Sequence, residues 1–256
     1  MIEVLGVPFY TKNINSAVKE VIAACSDVYL PQNYCISASG AHGLVEAAKN
    51  PAFKIILNNF HINLPDGMPT VWVGRLKGAN GMQRCYGPDF FMNTMKASAK
   101  LPIKHFFCGG KEGVADQLKQ NSFKRFGNSQ VVGTFCPPFR EMSDAEMNDL
   151  GQTISATKSD IVWIGMSCPK QEKFAYRLAK YTNTHFIVAV GAAFDFHTDQ
   201  VKQAPKWMQK SGLEWFFRLL MEPKRLFMRY FEIVPQFIWL NIKEFVDFYI
   251  LKRKVA

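Results

Sequence analysis

The sequence predicts an α/β fold, in which a mostly parallel sheet carries helices on both faces and a helical appendage follows at the C-terminus. Short apolar runs alternate with amphipathic stretches over the first 190 residues, which is the pattern of a parallel sheet built from strand–helix units. After about residue 200 the pattern becomes helical, aromatic and basic. We therefore expect a core over residues 1–200 and an appendage over residues 201–256.

The elements of the core follow one another in a regular order. The predicted strands are NYCISAS, FHINL, IKHFFCGG, SQVVGTF, DIVWIGM and HFIVAV. The predicted helices are AHGLVEAAKN, MPTVWVGRLKG, EGVADQLKQNSFKRF, SDAEMNDLGQTISATKS and PKQEKFAYRLAKY. The fourth of these helices has Ser143 as its N-cap and Glu146 three residues later, a spacing that predicts a capping box.

The appendage contains three prolines, Pro205, Pro223 and Pro235, which should divide it into short helices. Two interpretations of its aromatic and basic composition are equally supported. It is either a terminal helix pair that packs into the core, or an interfacial surface. In the second case Trp and Phe side chains enter lipid while Lys and Arg side chains meet phosphates.

The composition is that of a globular protein, with 48% hydrophobic and 20% charged residues in 256 positions. No apolar run approaches the ~18 residues that a membrane span needs, and the N-terminus has no signal-peptide pattern. The six cysteines are scattered without a CxxC pair, which indicates reduced thiols rather than zinc ligands or disulfides. We expect a cytoplasmic protein.

The positive charge is concentrated at the C-terminus. The whole chain has a formal net charge of +10. Residues 201–256 hold 11 Lys and Arg against 5 Asp and Glu, a net of +6. Such an asymmetry attracts anionic partners, which include nucleic acid, phosphorylated substrates and an acidic membrane face.

Polar corners lie at the ends of several predicted strands, where parallel sheets bind their ligands. They are Ser37 to Gly40, Asp66, Gly109 with Gly110, Ser167 to Gln171, and Gly191 to Asp195. Asp66 stands in a Pro-Asp-Gly corner, which a plain turn or a helix cap would also explain.

Three of these corners have residue types that bind phosphates or sugars. Gly109 lies between a strand and a helix, where backbone N–H groups bind phosphate, although a plain turn is as well supported. Lys170 and Gln171 stand in the first turn of a helix and can bind phosphate or sugar hydroxyls, or can simply be solvated. The small residues after Gly191 allow a ligand to approach the backbone closely.

The sequence does not predict a metal site. Asp195 and His197 are two residues apart, but no third ligand follows at a usual spacing. There is also no Asp-x-Asp motif to hold a metal diphosphate, and no Gly-x-Ser-x-Gly motif of a hydrolase.

The motifs taken together resemble the WecG/TagA/CpsF glycosyltransferases. The blocks that carry this resemblance are SASGAHGLVEAAKNPAF, LPDGMPTVWVGRLKG, QRCYGPDFF, HFFCGGKEGVADQL, DIVWIGMSCPKQEKF and VGAAFDFHTDQVKQAPKWMQKSGLEWFFRLLMEPKRLFMRYF. They cover some 200 residues in a consistent order.

The resemblance implies a Rossmann-like core whose appendage completes the site and meets the membrane. It implies transfer of a sugar from a UDP-sugar donor to a polyprenyl-diphosphate-linked saccharide, with inversion and without a metal or other cofactor. The enzyme would work at the cytoplasmic face of the membrane, in the synthesis of teichoic acid, enterobacterial common antigen, capsule or exopolysaccharide. If the appendage leaves the site incomplete away from the membrane, the chain could self-associate until it meets lipid.

The resemblance assigns the two central roles of this reaction. Asp66 matches the proposed general base, which takes a proton from the acceptor hydroxyl and is commonly worth ~10² to 10⁴ in rate. Arg84 matches an arginine that contacts the diphosphate or sugar, where a fixed cation stabilises the departing UDP.

Further substrate-binding positions carry over from the family. Ser37 and Ser39 replace a family Thr-x-Asn, so that a hydroxyl stands where the family has an amide. Gln171 matches a substrate-binding glutamine, and His42 is either a site residue or a packed helix histidine. Arg218, Arg225 and Arg229 match appendage arginines, and their spacing of 7 and 4 places them on one face of a continuous helix.

Three rival functions stay open at this point. A nucleotide-sugar epimerase would need a dinucleotide fingerprint near the N-terminus, and a nucleic-acid-binding protein would need a recognised motif; neither is present. A scaffold that has lost activity is disfavoured, because Asp66, Arg84 and Gln171 are all in place.

Overall fold

The chain begins with a β-hairpin and continues into a six-stranded parallel sheet. The computed structural model describes residues 1–26 and 33–247, without the side chains of Lys210 and Arg225. The hairpin strands are β1 (Ile2–Val4) and β2 (Val7–Phe9). The sheet strands are β3 (Tyr34–Ser39), β4 (Ile62–Pro65), β5 (His105–Gly109), β6 (Val131–Phe135), β7 (Ile161–Gly165) and β8 (Phe186–Ala189). Their order is β4-β3-β8-β7-β5-β6 with every pair parallel, which confirms the predicted fold class.

Helices connect the strands and cover both faces of the sheet. In the core they are α1 (Ile14–Cys25), α2 (Ala41–Lys49), α3 (Pro51–Asn58), α4 (Met68–Leu76), α5 (Gly87–Ala97), α6 (Val114–Phe126), α7 (Asp144–Ala156), α8 (Lys170–Leu178) and α9 (Ala193–His197). The appendage contributes α10 (Lys206–Lys210), α11 (Glu214–Met221) and α12 (Pro223–Phe245). The predicted capping box is present at the start of α7.

The central strands are buried on both sides because their side chains alternate between two apolar clusters. In β7, Ile161 and Trp163 lie in the cluster that also contains Phe91, while Val162 and Ile164 lie in the opposite cluster. All four side chains are inaccessible to solvent. A strand of this kind needs an apolar residue at every position, which explains the continuous apolar run IVWIG.

A third apolar cluster attaches the hairpin and α12 to the core. Leu226, Ile233 and Phe237 of α12 are buried, and the last two belong to the same cluster as Val4 and Val7 of the hairpin. A neighbouring face of α12 carries an exposed apolar stripe, which consists of Phe227, Phe231, Val234, Ile238, Ile242 and Phe245. The appendage is therefore packed against the core, as the first interpretation expected, and also has an exposed apolar surface; its contact with a membrane stays a prediction.

One prediction for the appendage is wrong. Pro205 and Pro223 delimit helices as expected, but Pro235 lies inside the continuous helix α12. Its neighbours Ile233 and Phe237 are buried against the core, and this packing outweighs the cost of one lost backbone hydrogen bond. Arg218 does not share a helix with Arg229, since the chain leaves the helical conformation at Glu222 between α11 and α12.

The N-terminal hairpin was not predicted. Its turn consists of Leu5 and Gly6, which both have positive φ, 54° and 71°. In a sequence, a turn of this kind is usually identified by Asn-Gly or Asp-Gly. Here the first position is a leucine, so the sequence does not indicate the turn.

Candidate functional site

Asp66 lies at the junction of three segments. It follows β4 directly, and its backbone N–H donates to the carbonyl of Ser39 at the end of β3 (3.0 Å). Its Oδ1 accepts a hydrogen bond from the backbone N–H of Gly87, the first residue of α5 (2.8 Å). The half-buried carboxylate is therefore held firmly at the carboxyl edge of the sheet, where parallel sheets bind ligands.

The environment of Asp66 raises its pKa to about 6. Burial is the main cause, because it disfavours the charged carboxylate. The positive charge of Arg84 and the hydrogen bond from Gly87 act in the opposite direction without cancelling it. Among the side chains that the structure describes, no cation forms an ion pair with this carboxylate. A carboxyl with a pKa near neutrality is suited to accept a proton.

Arg84 joins the core to the appendage. Its Nε donates to the backbone carbonyl of Asp66 (2.6 Å), and its Nη2 donates to Oε2 of Glu214 in α11 (2.6 Å). The guanidinium also lies over the ring of Tyr86, 4.1 Å from the ring centroid. The side chains of Arg84 and Glu214 are only 16% and 10% exposed, so the ion pair is largely removed from solvent. This contact places α11 beside Asp66.

Arg218 is a second cation near Asp66, and it comes from the appendage. It stands four residues after Glu214 in α11, and on a helix this spacing puts both side chains on one face. Its guanidinium lies 5.7 Å from the ring centroid of Phe196, and its charge lowers the pKa of Asp66. The Nε of Arg218 is buried without a hydrogen-bond partner among the described residues.

The other two predicted appendage arginines lie in α12. The side chain of Arg225 is outside the described part of the structure. Arg229 lies near His42 in α2, and the pKa of His42 is lowered mainly by its burial and also by the charge of Arg229. Arg229 and His42 thus meet across the contact between α12 and α2.

Ser37, Ser39 and Gln171 belong to a buried hydrogen-bond network. The hydroxyls of Ser37 and Ser39 are 2.8 Å apart, and Ser37 donates to Oε1 of Glu172 (2.9 Å). The amide of Gln171 donates to the same Oε1 (2.8 Å) and accepts from the backbone N–H of Gly191 (2.9 Å). Ser37 and Glu172 are inaccessible to solvent. The network ties β3, α8 and the turn after β8 together behind the site.

Glu172 is the residue of this network that the sequence-based prediction missed. Burial raises its pKa, and hydrogen bonds from Gln171 and Ser37 oppose this effect. A glutamate in the first turn of a helix normally faces solvent and interacts with the helix dipole. However, Glu172 shares a helix face with the buried Ala175, and this spacing was the available signal.

The remaining predicted residues lie farther along the same edge of the sheet. Lys170 is exposed at the start of α8, with its Nζ 5.9 Å from the ring centroid of Phe139. Asp195 is half-buried in α9. Gly109, with φ of +128°, ends β5, and a Cβ there would come within 2.6 Å of the carbonyl oxygen of Gly165. Close packing against β7 is therefore enough to require this glycine.

The strand order divides the predicted residues into two groups. Ser37 and Ser39 lie in β3, Asp66 follows β4 and Gly191 comes after β8, and these three strands are adjacent. Gly109 is the last residue of β5, which lies four strand positions from β4, or about 19 Å. The structure thus brings Asp66, Arg84 and Arg218 together and leaves Gly109 at the far end.

The described residues contain a cavity away from Asp66, but no metal-binding cluster and no membrane-spanning helix. A cavity of about 480 Å³ lies at the amino ends of β3 and β4, where Tyr34 and His61 line it, on the edge opposite Asp66. No group of three His, Cys, Asp or Glu side chains in residues 1–26 and 33–247 could hold a metal ion. No helix in these ranges is long and apolar enough to cross a membrane.

Comparisons with known proteins agree with the resemblance. The family model described as "Glycosyl transferase WecG/TagA/CpsF family" matches residues 2–249. Two similar proteins are both named N-acetylglucosaminyldiphosphoundecaprenol N-acetyl-beta-D-mannosaminyltransferase. The one from Bacillus spizizenii strain W23 is 25% identical over 215 residues, which cover 83% of this chain and 81% of the relative. The one from Bacillus subtilis strain 168 is 25% identical over 230 residues, which cover 86% and 83%. Since the family model spans nearly the whole chain, this protein belongs to the WecG/TagA/CpsF family of glycosyl transferases.

Proposed function

We propose that this protein transfers a sugar from a UDP-sugar to a polyprenyl-diphosphate-linked saccharide in the synthesis of a bacterial surface polysaccharide. The names of the two Bacillus relatives support a lipid-diphosphate acceptor and an N-acetylhexosamine-type sugar. The observation that carries the proposal is the carboxylate of Asp66. Burial raises its pKa to about 6, and two cations, Arg84 and Arg218, lie close to it.

In this reaction Asp66 is the general base. Its carboxylate takes the proton of the acceptor hydroxyl while the hydroxyl oxygen forms a bond to the anomeric carbon of the donor sugar. The bond between that carbon and the UDP oxygen breaks, and UDP leaves with the electron pair. A single displacement of this kind inverts the anomeric configuration.

The arginines stabilise the departing diphosphate. Arg84 is held rigidly by Asp66 and Glu214, so its charge needs no reorganisation during the reaction. Arg218 approaches from the appendage, with Arg225 and Arg229 following in α12. In this proposal the cations fulfil the role of a metal, and the reaction proceeds without one.

The donor extends along the carboxyl edge of the sheet. From β4, which carries Asp66, to β7, which precedes Lys170, there are three strand spacings, or about 14 Å. An extended nucleotide sugar can cover this distance. Gly191, Asp195 and Lys170 then face the nucleotide, and Gln171 and Ser37 support the turn at Gly191 from behind.

The appendage, taken as residues 201–256, brings the enzyme to its lipid-linked acceptor. The exposed stripe of α12 and the exposed Trp239 form an apolar surface, and Lys224 and Lys243 belong to the same helix. An amphipathic helix of this composition binds at the interface of a membrane rather than crossing it. We place the protein peripherally on the cytoplasmic face of the membrane. The alternative is that this apolar surface contacts a second copy of the chain.

The proposal is tested with a panel of UDP-sugars and a synthetic lipid-diphosphate saccharide as acceptor. We expect one donor to be transferred and Asp66→Asn to lower kcat/KM about 10²- to 10⁴-fold. Asp149→Asn is the control, because Asp149 is an exposed aspartate of α7, which follows β6 at the end of the sheet away from β4 and Asp66. Undiminished transfer by Asp66→Asn would remove Asp66 from the role of base, and no transfer with any donor would contradict the proposed function.

A further inference from the structure

Tyr86 is a buried tyrosine among the charged groups of the site. It immediately precedes Gly87, whose N–H binds Asp66, and its ring lies under the guanidinium of Arg84. On the other side its ring centroid is 6.2 Å from that of Phe196, which also lies beneath Arg218. Tyr86 is only 4% exposed, so its position is fixed by packing.

The hydroxyl of Tyr86 has no hydrogen-bond partner among the described residues. Glu214 lies close enough that both its charge and a weak hydrogen-bond contact with the phenol raise the pKa of Tyr86, but this contact falls outside the geometry of a normal hydrogen bond. A buried polar group without a partner destabilises a folded protein, so such groups are rare and call for an explanation. A phenylalanine would fill the same space without this cost.

The surroundings define what the hydroxyl can bind. Burial, together with the negative charges of Glu214 and Asp66, raises the pKa of Tyr86 well above its usual value. The phenol therefore stays protonated and is available as a donor. Arg84 and Arg218 flank it with positive charge, which favours an anionic oxygen as the acceptor of its hydrogen bond.

We propose that the Tyr86 hydroxyl donates a hydrogen bond to a diphosphate oxygen of the substrate, between Arg84 and Arg218. This inference rests on the proposed function, since it takes the ligand to be a diphosphate. The diphosphate belongs either to the UDP-sugar donor or to the lipid-linked acceptor, because both carry the same chemical group. The unpartnered Nε of Arg218 is a second donor available to the same ligand.

The test is Tyr86→Phe, which removes only the hydroxyl. Because this oxygen has no partner in the free protein, we expect a melting temperature equal to or above that of the wild type. In contrast, the loss of a hydrogen bond to a charged group should weaken binding or transfer by about 10- to 100-fold. The measurements are thermal unfolding, UDP affinity by calorimetry, and KM and kcat for donor and acceptor.

Tyr10→Phe is the matched control. Tyr10 is 6% exposed, and its hydroxyl does have a partner, donating to Oε1 of Glu20 (2.9 Å) outside the site. We expect the opposite pattern from this variant, namely a lower melting temperature with unchanged UDP affinity and kinetics.

The outcomes separate the two sources of the diphosphate and the two proposals. Weaker UDP binding by Tyr86→Phe assigns the hydrogen bond to the donor, and a raised KM for the acceptor alone assigns it to the lipid-linked saccharide. Wild-type affinity and kinetics would overturn the inference, as would a loss of stability like that of Tyr10→Phe. A wild type that binds UDP but transfers no sugar would contradict the proposed function. In that case the comparison of UDP affinity between wild type and Tyr86→Phe would still test the role of the hydroxyl.

Discussion

At the scale of single residues, Asp66 combines two properties that a catalytic base needs. Its carboxylate is fixed by the backbone of Gly87, and its pKa is raised toward neutrality by burial. The rise is limited because Arg84 and Arg218 favour the charged form. The arginines that we propose to bind a diphosphate therefore also favour the deprotonated form of the proposed base near pH 7.

The raised pKa predicts the pH dependence of the reaction. A base acts only when deprotonated, so kcat/KM should rise as the pH increases through the pKa of about 6. Between pH 5 and pH 7 the deprotonated fraction of such a group grows about tenfold. The check is a pH profile of kcat/KM with the best donor, and the residual activity of Asp66→Asn should lack this rise. A wild-type profile that is flat between pH 5 and pH 7 would contradict the prediction.

The residues of the site differ in how far the sequence could reveal them. Asp66 and Arg84 lie in blocks that resemble the family, and the structure places them in contact. Glu172 and Tyr86 stand in the same blocks without a distinctive pattern. Their importance depends on partners far away in sequence, such as Ser37, which is 135 residues from Glu172. No local pattern encodes such a pairing.

At the scale of elements, α11 depends on a buried ion pair for its position. Glu214 is the first residue of this short helix, and its partner Arg84 belongs to the core. The pair connects two parts of the chain that are 130 residues apart. Since an eight-residue helix is not stable by itself, its order depends on such tertiary contacts.

Glu214→Ala should therefore loosen the appendage. The variant leaves Arg84 largely buried without its carboxylate partner, which costs about 1 to 3 kcal/mol after allowance for partial exposure. We expect faster amide hydrogen exchange in α10 and α11, with unchanged protection in β7 and β8. Glu141→Ala is the control. Glu141 forms an ion pair with Arg177, but its side chain is 85% exposed, so its loss should have little effect. Equal exchange in wild type and Glu214→Ala would show that the ion pair does not position α11.

The elements of the core were predictable because each strand and helix carries its own apolar pattern. All six predicted strands are present, as are the five predicted helices. Pro235 shows the limit of this approach. A proline inside a helix is locally unfavourable, but the buried side chains around it belong to a cluster that includes the hairpin at the other end of the chain.

At the scale of the whole molecule, the positive charge and the exposed apolar side chains are concentrated in the same C-terminal segment. Residues 201–256 account for +6 of the net +10. The stripe on α12 lies on the helix face next to the one that contains Leu226 and Ile233, which hold the helix on the core. An enzyme with this arrangement would sit on an acidic membrane with its site at the lipid surface.

The double variant Phe231→Ser with Trp239→Ser tests this arrangement. Both side chains are at least 60% exposed, so their loss should leave folding intact. Binding to vesicles that contain anionic lipid should fall at least about tenfold, since each aromatic side chain contributes apolar area. The control is Ile55→Ser with Leu76→Ser, which removes two similarly exposed apolar side chains from the surface of residues 1–200, outside the appendage. Unchanged vesicle binding by the first variant, with a smaller oligomer in light scattering, would assign the stripe to a second copy of the chain.

The sequence by itself determined the α/β architecture, the family and the position of Asp66, because alternating apolar patterns and compact motifs are local properties of a chain. Only the tertiary structure decided that Glu214 holds Arg84, that Glu172 lies behind the site, and that Pro235 stays within a helix. Those features depend on burial and on contacts between distant segments, and the free energy of such contacts exists only once the chain has folded.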